Sequence, residues 1–247
     1  MTIQTFTDHD ALSQHTAEHI AALINQKPDA LLCLASGDTP IETYRRFVAL
    51  AQAGRVNVSR CTFVGLDEWV GFGPDDAGSC SYYVFRDLFR PLGLRPEQIH
   101  TFNAKADDLA VECARIDGLI DGRGGLDLLL VGMGMNGHIA LNEPGTPFTN
   151  GCHVVELAES TKTVGQKYFA TETALTQGIT VGLRHLTGAR DVILLVSGEK
   201  KAAILHTALT GPVTEQVPAS IVQTRPNVRV WVDAGAGELL STNVIFR

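Results

Sequence analysis

The densest concentration of reactive side chains in the 247-residue chain is the segment Gly132-Met-Gly-Met-Asn-Gly-His-Ile-Ala-Leu-Asn-Glu-Pro-Gly145. His138 follows Gly137 and precedes Glu143 on this glycine-flanked turn. An imidazole partnered by a carboxylate exchanges protons near neutral pH, because the carboxylate supports the imidazolium form. The plain alternative is a histidine satisfied within a core. The segment also spells Gly-x-Gly-x-x-Gly at 132, 134 and 137, with Glu156 at the distance a dinucleotide fingerprint needs for its ribose-binding acid. That fingerprint requires a long helix opening at its third glycine, and Asn142-Glu-Pro-Gly145 breaks any helix within a few residues. Acid–base chemistry is therefore expected here, without a nicotinamide or flavin.

Three further loops carry chemistry. In Gly65-Leu-Asp-Glu-Trp69 two adjacent carboxylates, Asp67 and Glu68, follow an apolar run. Charge beside a core needs partners, so the pair reads either as a general base of adjusted pKa or as one capping and one solvated acid. Ser36-Gly-Asp-Thr-Pro40 combines a flexible glycine, two hydroxyls and a proline suited to a first helical turn. Exposed N–H groups at such a helix start accept an anion such as phosphate, unless Asp38 or Thr39 merely caps the helix. In Ser197-Gly-Glu-Lys-Lys201, Lys201 falls where a first-turn lysine reaches a bound phosphate as a point charge. His15-Thr-Ala-Glu-His19 matches an inverted zinc-protease pattern, but no third ligand accompanies it, and surface histidines are expected.

These loops follow short apolar runs that read as buried strands at 30–35, 61–66, 126–131, 179–182, 192–196 and 228–232. Amphipathic stretches at 8–25, 39–53, 79–90, 106–121, 160–170, 199–209 and 216–222 read as helices. Such alternation predicts a single α/β domain over 1–247, a doubly wound, mainly parallel, Rossmann-like sheet with helices on both faces. Ligands of such sheets bind at the carboxyl ends of the strands, near a topological switch point.

Composition narrows the function class. Twenty Lys and Arg against 27 Asp and Glu give a net charge of −7, without a basic block to neutralise a row of phosphates, so no nucleic-acid partner is expected. No apolar run is long enough to span a membrane, and the N-terminal residues carry no signal-peptide pattern. The five cysteines, at 33, 61, 80, 113 and 152, form no close pair and no zinc-binding spacing, which suits unpaired thiols in a reducing, cytoplasmic setting.

Together the motifs resemble the glucosamine-6-phosphate and galactosamine-6-phosphate deaminase/isomerase family. The resemblance runs from about residue 30 to 233. It rests on Ser36-Gly-Asp-Thr-Pro40, Leu66-Asp-Glu-Trp69, Gly134-Met-Asn-Gly-His-Ile-Ala-Leu-Asn-Glu-Pro144, Ile179-Thr-Val-Gly182 and Ser197-Gly-Glu-Lys-Lys201. Asn142-Glu-Pro144 separates it from the related 6-phosphogluconolactonases. The resemblance implies isomerisation of a 2-amino-2-deoxyhexose 6-phosphate followed by loss of ammonia, with no metal or organic cofactor and a small sugar phosphate as the partner. Asp67 would carry the proton between C2 and C1. His138, supported by Glu143, would protonate the ring oxygen. Ser36, Gly37, Thr39, Lys167 and Lys201 would hold the phosphate, Lys167 standing where glucosamine enzymes usually have arginine.

Asn136 stands where those enzymes usually have aspartate, and an amide there shifts the support of imidazolium toward Glu143. Together with the wording Cys-Leu-Ala-Ser and Leu-Asp-Glu-Trp, it points to the galactosamine branch. The basic effector-site pair of the regulated bacterial enzymes would fall at His153 and Val155, and valine offers no charge to a phosphate. Two other readings compete: a lactonase on the same fold, and a non-catalytic sugar-phosphate sensor. Oligomeric state is left open, a homo-oligomer included, since relatives range from monomers to hexamers.

Overall fold

A computed structural model describes residues 1–240 of the chain. Seven parallel strands form the central sheet: β1 (Thr2–Phe6), β2 (Leu31–Leu34), β3 (Thr62–Gly65), β5 (Ile99–His100), β6 (Leu128–Val131), β9 (Asp191–Val196) and β10 (Val228–Asp233). Their order is β1-β10-β9-β6-β2-β3-β5. The interior strands are mostly apolar because each alternates between two buried faces. Leu31, Cys33, Leu129, Val192 and Leu194 enter one core, while Leu32, Leu128, Leu130, Ile193 and Leu195 enter the other.

Helices α1 (His9–Gln26), α2 (Ile41–Gln52) and α3 (Cys80–Val84, running on through a π turn, Phe85–Phe89) supply the second core with Ile20, Phe47 and Leu88. Helices α4 (Leu109–Gly122), α6 (Leu183–Gly188) and α7 (Ala202–Thr210) supply the first with Ile116, Leu186 and Leu205. The expected α/β sheet covered on both faces is the observed one.

The differences from the expected elements have physical causes. The run at 179–182 is not a strand of the main sheet. Its strand, β8 (Gln177–Thr180), is the middle of a separate antiparallel sheet with β4 (Asp67–Trp69) and β7 (His153–Glu156), and Gly182 precedes α6. Ile179 is fully buried, so an apolar run alone did not reveal which sheet it joins. The edge strand β1 escapes the pattern because it is half exposed, and β5 because it has two residues. Helix α5 (Glu159–Gly165) continues as a 3-10 turn, Gln166–Tyr168, and the helix expected at 216–222 is a 3-10 segment, Pro218–Thr224.

The topology fixes where a ligand can sit. From β2 the chain steps outward to β3 and β5, and from β6 it turns the other way to β9 and β10. The switch point therefore lies between β2 and β6. The loops leaving four neighbouring strands, β9, β6, β2 and β3, begin with Ser197, Gly132, Ala35 and Leu66 and converge there. Among the described residues no helix is long and apolar enough to cross a membrane.

Candidate active site

The four loops and the α5 segment enclose one cavity of about 510 Å³. Ser36, Gly37, Thr39, Asp67, Asn136, His138, Lys167 and Lys201 all line it; Glu143 sits behind His138. Asp67 and His138 thus open onto the same space.

Asp67 and Glu68 begin β4, and strand alternation sends neighbouring side chains to opposite faces. Glu68 turns inward, 1% exposed, and accepts from the backbone N–H groups of Trp69, Cys80 and Ser81, each at 2.9 Å, and from the Ser81 hydroxyl. It anchors the start of α3, whose N-cap is Ser79. Asp67 faces the cavity, and its buried Oδ1 has no hydrogen-bond partner. Burial pushes its pKa up to about 7; the Glu68 charge adds to the rise, and the Cys80 thiol and Ser36 hydroxyl offset it only in part. A carboxylate poised near neutrality suits a general base. The adjacent acids therefore part: Asp67 faces the cavity, and Glu68 ties β4 to the start of α3.

On the β6 loop, Gly134 N–H donates to the His138 carbonyl at 2.9 Å, and a Cβ at Gly134 would overlap the His138 ring. Gly137 takes a φ of +83°, open to glycine at little cost. His138 Nδ1 lies 3.5 Å from Glu143 Oε2 and 3.3 Å from the Thr161 hydroxyl. Glu143 also accepts from the Asn136 amide at 2.8 Å and from Ala158 N–H at 3.2 Å. Burial would raise the Glu143 pKa, but hydrogen bonds from His138, Thr161 and Asn136 outweigh it and hold the group at about 2. An acceptor fixed on Nδ1 leaves Nε2 as the working nitrogen. Asn136 joins the two groups. Its oxygen accepts His138 N–H at 3.2 Å while its amide donates to Glu143, where an aspartate would set a second carboxylate against the first.

The cationic corner is built from three elements. Gly37 has a φ of +101°, and a Cβ there would lie 3.3 Å from the Tyr168 hydroxyl, so the loop following β2 passes close beneath that ring. No side chain caps α2, which excludes the capping role for Asp38 and Thr39. Asp38 instead accepts from Lys167 Nζ at 2.6 Å; burial would lower the Lys167 pKa, but this partner raises it. Lys201 donates to the Met133 carbonyl at 2.6 Å, and burial together with the Lys167 charge lowers its pKa to about 8. An anion beside Lys201 would offset both the burial and the Lys167 charge that lower its pKa.

Two buttresses of the site carry no motif. His9 Nε2 donates to the Thr39 carbonyl at 2.8 Å, and Asp233 accepts from the Ser197 hydroxyl and from Gly198 N–H at 3.0 Å. Thr161 and Ser160 also reach the cavity from α5. Sequence reasoning missed all four, because their types and spacing give no signal in one dimension. The decoys resolve as structure: His15 stacks at 4.7 Å on Trp231, His19 Nε2 lies 2.6 Å from Asp191, and no helix follows Gly137 to complete a dinucleotide fold.

The family model described as glucosamine-6-phosphate isomerases/6-phosphogluconolactonase matches residues 7–231. The chain belongs to that family. A glucosamine-6-phosphate deaminase of Bacillus pumilus (strain SAFR-032) is 38% identical over 240 residues, covering 97% of this chain and 100% of the relative. A solved monomeric glucosamine-6-phosphate deaminase superposes with a TM-score of 0.93 at 36% identity, covering 97% of this chain and 100% of the other. The 6-phosphogluconolactonase of Leishmania guyanensis shares the fold, with a TM-score of 0.76 at 19% identity over 97% of this chain and 98% of its own. His153 and Val155, the positions expected for an effector pair, lie on β7 and do not line the cavity.

Proposed function

We propose that the protein is an amino-sugar-phosphate deaminase that converts a 2-amino-2-deoxyhexose 6-phosphate and water to a ketohexose 6-phosphate and ammonia, with galactosamine 6-phosphate as its preferred substrate. The observation that carries the reading is a single cavity holding a carboxylate poised near neutral pH, an imidazole backed by a carboxylate, and a two-lysine corner beside an exposed loop backbone. The phosphate is held by Ser36, the Gly37–Thr39 backbone, Lys201 and Lys167. Lys167 exchanges Asp38 for the ester; lysine neutralises the phosphate without the two-pronged fork of arginine. His138 Nε2 delivers a proton to the ring oxygen as the ring opens, and Glu143 stabilises the imidazolium form. Asp67 takes the C2 proton and returns it to C1 while a proton passes from the ammonium nitrogen to O1, which leaves a hydroxymethyl group at C1 and an iminium at C2. The nitrogen then departs as ammonia when water adds at C2. Relatives named glucosamine-6-phosphate deaminase support the reaction class. The galactosamine preference rests on Asn136 and the wording of the β2 and β4 loops.

The test supplies galactosamine 6-phosphate, glucosamine 6-phosphate and 6-phosphogluconolactone separately and follows ammonia and ketose phosphate. Ammonia release fastest from the galactosamine ester is expected. Faster turnover of the glucosamine ester would reverse the epimer assignment, and hydrolysis of the lactone alone would overturn the deaminase reading.

A further inference from the structure

Outside the cavity, three side chains of metal-binding type converge from separate elements: Asp117 on α4, Cys152 just before β7 and His185 on α6. One ligand atom of each lies within 4.8 Å of the other two. None of the three lines the substrate cavity. Cys152 and His185 are buried, and the Asp117 side chain is 24% exposed, which leaves an approach from solvent on the carboxylate side. His185 Nε2 sits 2.5 Å from Asp117 Oδ1, which also accepts Cys152 N–H at 2.9 Å.

We propose that Asp117, Cys152 and His185 form a binding site for Zn²⁺, distinct from the site of the sugar chemistry. A thiolate, an imidazole and a carboxylate are the donors that a borderline-soft, tetrahedral ion prefers. Bond lengths of about 2.0–2.3 Å to such ligands place them about 3.3–3.7 Å apart. The His185–Asp117 pair, at 2.5 Å, must open by about 1 Å to reach that spacing. Cys152 binds as the thiolate, its proton passing to solvent, and water takes the fourth position. Burial and the Asp117 carboxylate raise the Cys152 pKa and oppose the thiolate until the ion neutralises that charge, and Arg184 opposes the ion with its guanidinium 3.2 Å from Asp117. It also holds both oxygens of Asp121, at 3.1 and 3.0 Å, so it keeps a partner when Asp117 turns to the ion. Bound there, Zn²⁺ ties α4 and α6 to the segment that enters β7. No sequence spacing rule reaches the site, because its ligands are more than thirty residues apart.

The test titrates Co²⁺, a spectroscopic stand-in for Zn²⁺, into the metal-stripped full-length protein. One equivalent of Co²⁺ producing a thiolate-to-metal charge-transfer band, displaced by Zn²⁺, is expected. Cys152→Ala should abolish the band, and His185→Gln should weaken Co²⁺ binding about tenfold or more. Each variant is checked for folding by far-ultraviolet circular dichroism and thermal unfolding, and Cys80→Ala is the control for the thiol in the cavity. Asp117→Asn, which keeps the side chain's shape, gives a second reading if a variant fails to fold. Absence of the band in the wild type, or its survival in Cys152→Ala, overturns the proposal. Deaminase assays and Co²⁺ binding succeed or fail independently.

Discussion

Asp67→Asn should inactivate the protein and stabilise it at the same time. In the folded chain burial lifts the Asp67 carboxyl from an ordinary value of 3.8 to about 7. Below the ordinary value the group is protonated in both states and costs nothing. As pH rises through the interval up to about 7, the unfolded chain gains a hydrated charge that the folded chain resists, and above it the folded protein carries the full penalty. A difference of about three units corresponds to a ceiling of about 4 kcal/mol at about 1.4 kcal/mol per unit. Solvent in the open cavity reduces it, so about 1–2 kcal/mol is expected, or a Tm increase of about 3–6 °C for a chain of this size. Asparagine keeps the shape and removes the charge. Thermal unfolding of wild type and variant at about pH 8 should show the full difference, which should shrink toward zero near pH 4. Ammonia release should fall by about 10²–10⁴, with substrate affinity within about tenfold, because proton transfer is lost and phosphate contacts are not. In the wild type, kcat/KM should fall about tenfold per pH unit below about 7. A variant no more stable than wild type at pH 8, or a wild-type profile flat down to about pH 5, would refute the reasoning.

Glu143→Gln removes a carboxylate held at about 2, so it should cost about 2 kcal/mol at neutral pH and progressively less as pH falls from about 4.5, with kcat lowered more than KM is raised; calorimetry across pH and initial rates check this. Gly134→Ala should displace the His138 ring and lower kcat sharply while far-ultraviolet circular dichroism stays native, because the added Cβ has no other place to go. Lys201→Ala should mainly raise KM, and the wild-type KM should climb above about pH 8 as the lysine loses its proton; a fall in kcat alone would move the phosphate elsewhere. Saturation curves with and without an N-acetylated amino-sugar phosphate should coincide, since Val155 offers no charge to an effector phosphate.

Much of the site was legible because loops after buried strands gather the polar residues of a doubly wound sheet. Short, mainly apolar runs made β2, β3, β6, β9 and β10 readable, and residues with special chemistry at their carboxyl ends, such as Ser36, Asp67 and His138, could then be picked out. The small antiparallel sheet was not legible. β4 has three residues and β7 is half exposed, so neither carries the apolar signal that marks a strand.

The amino-acid sequence by itself determined the layers, the four chemical loops and the types of group each could bring, since these depend on local periodicity and on what a glycine or proline permits. The tertiary structure alone decided where the two adjacent acids point, because strand alternation at β4 turned Glu68 inward and left Asp67 in the cavity without a donor for its buried oxygen. It alone decided that Asn136 serves Glu143, that Lys167 rests on Asp38, and that Asp117, Cys152 and His185 meet. Such pairings depend on distances between segments far apart in the chain, which are set only when burying both faces of the sheet fixes every element against its neighbours.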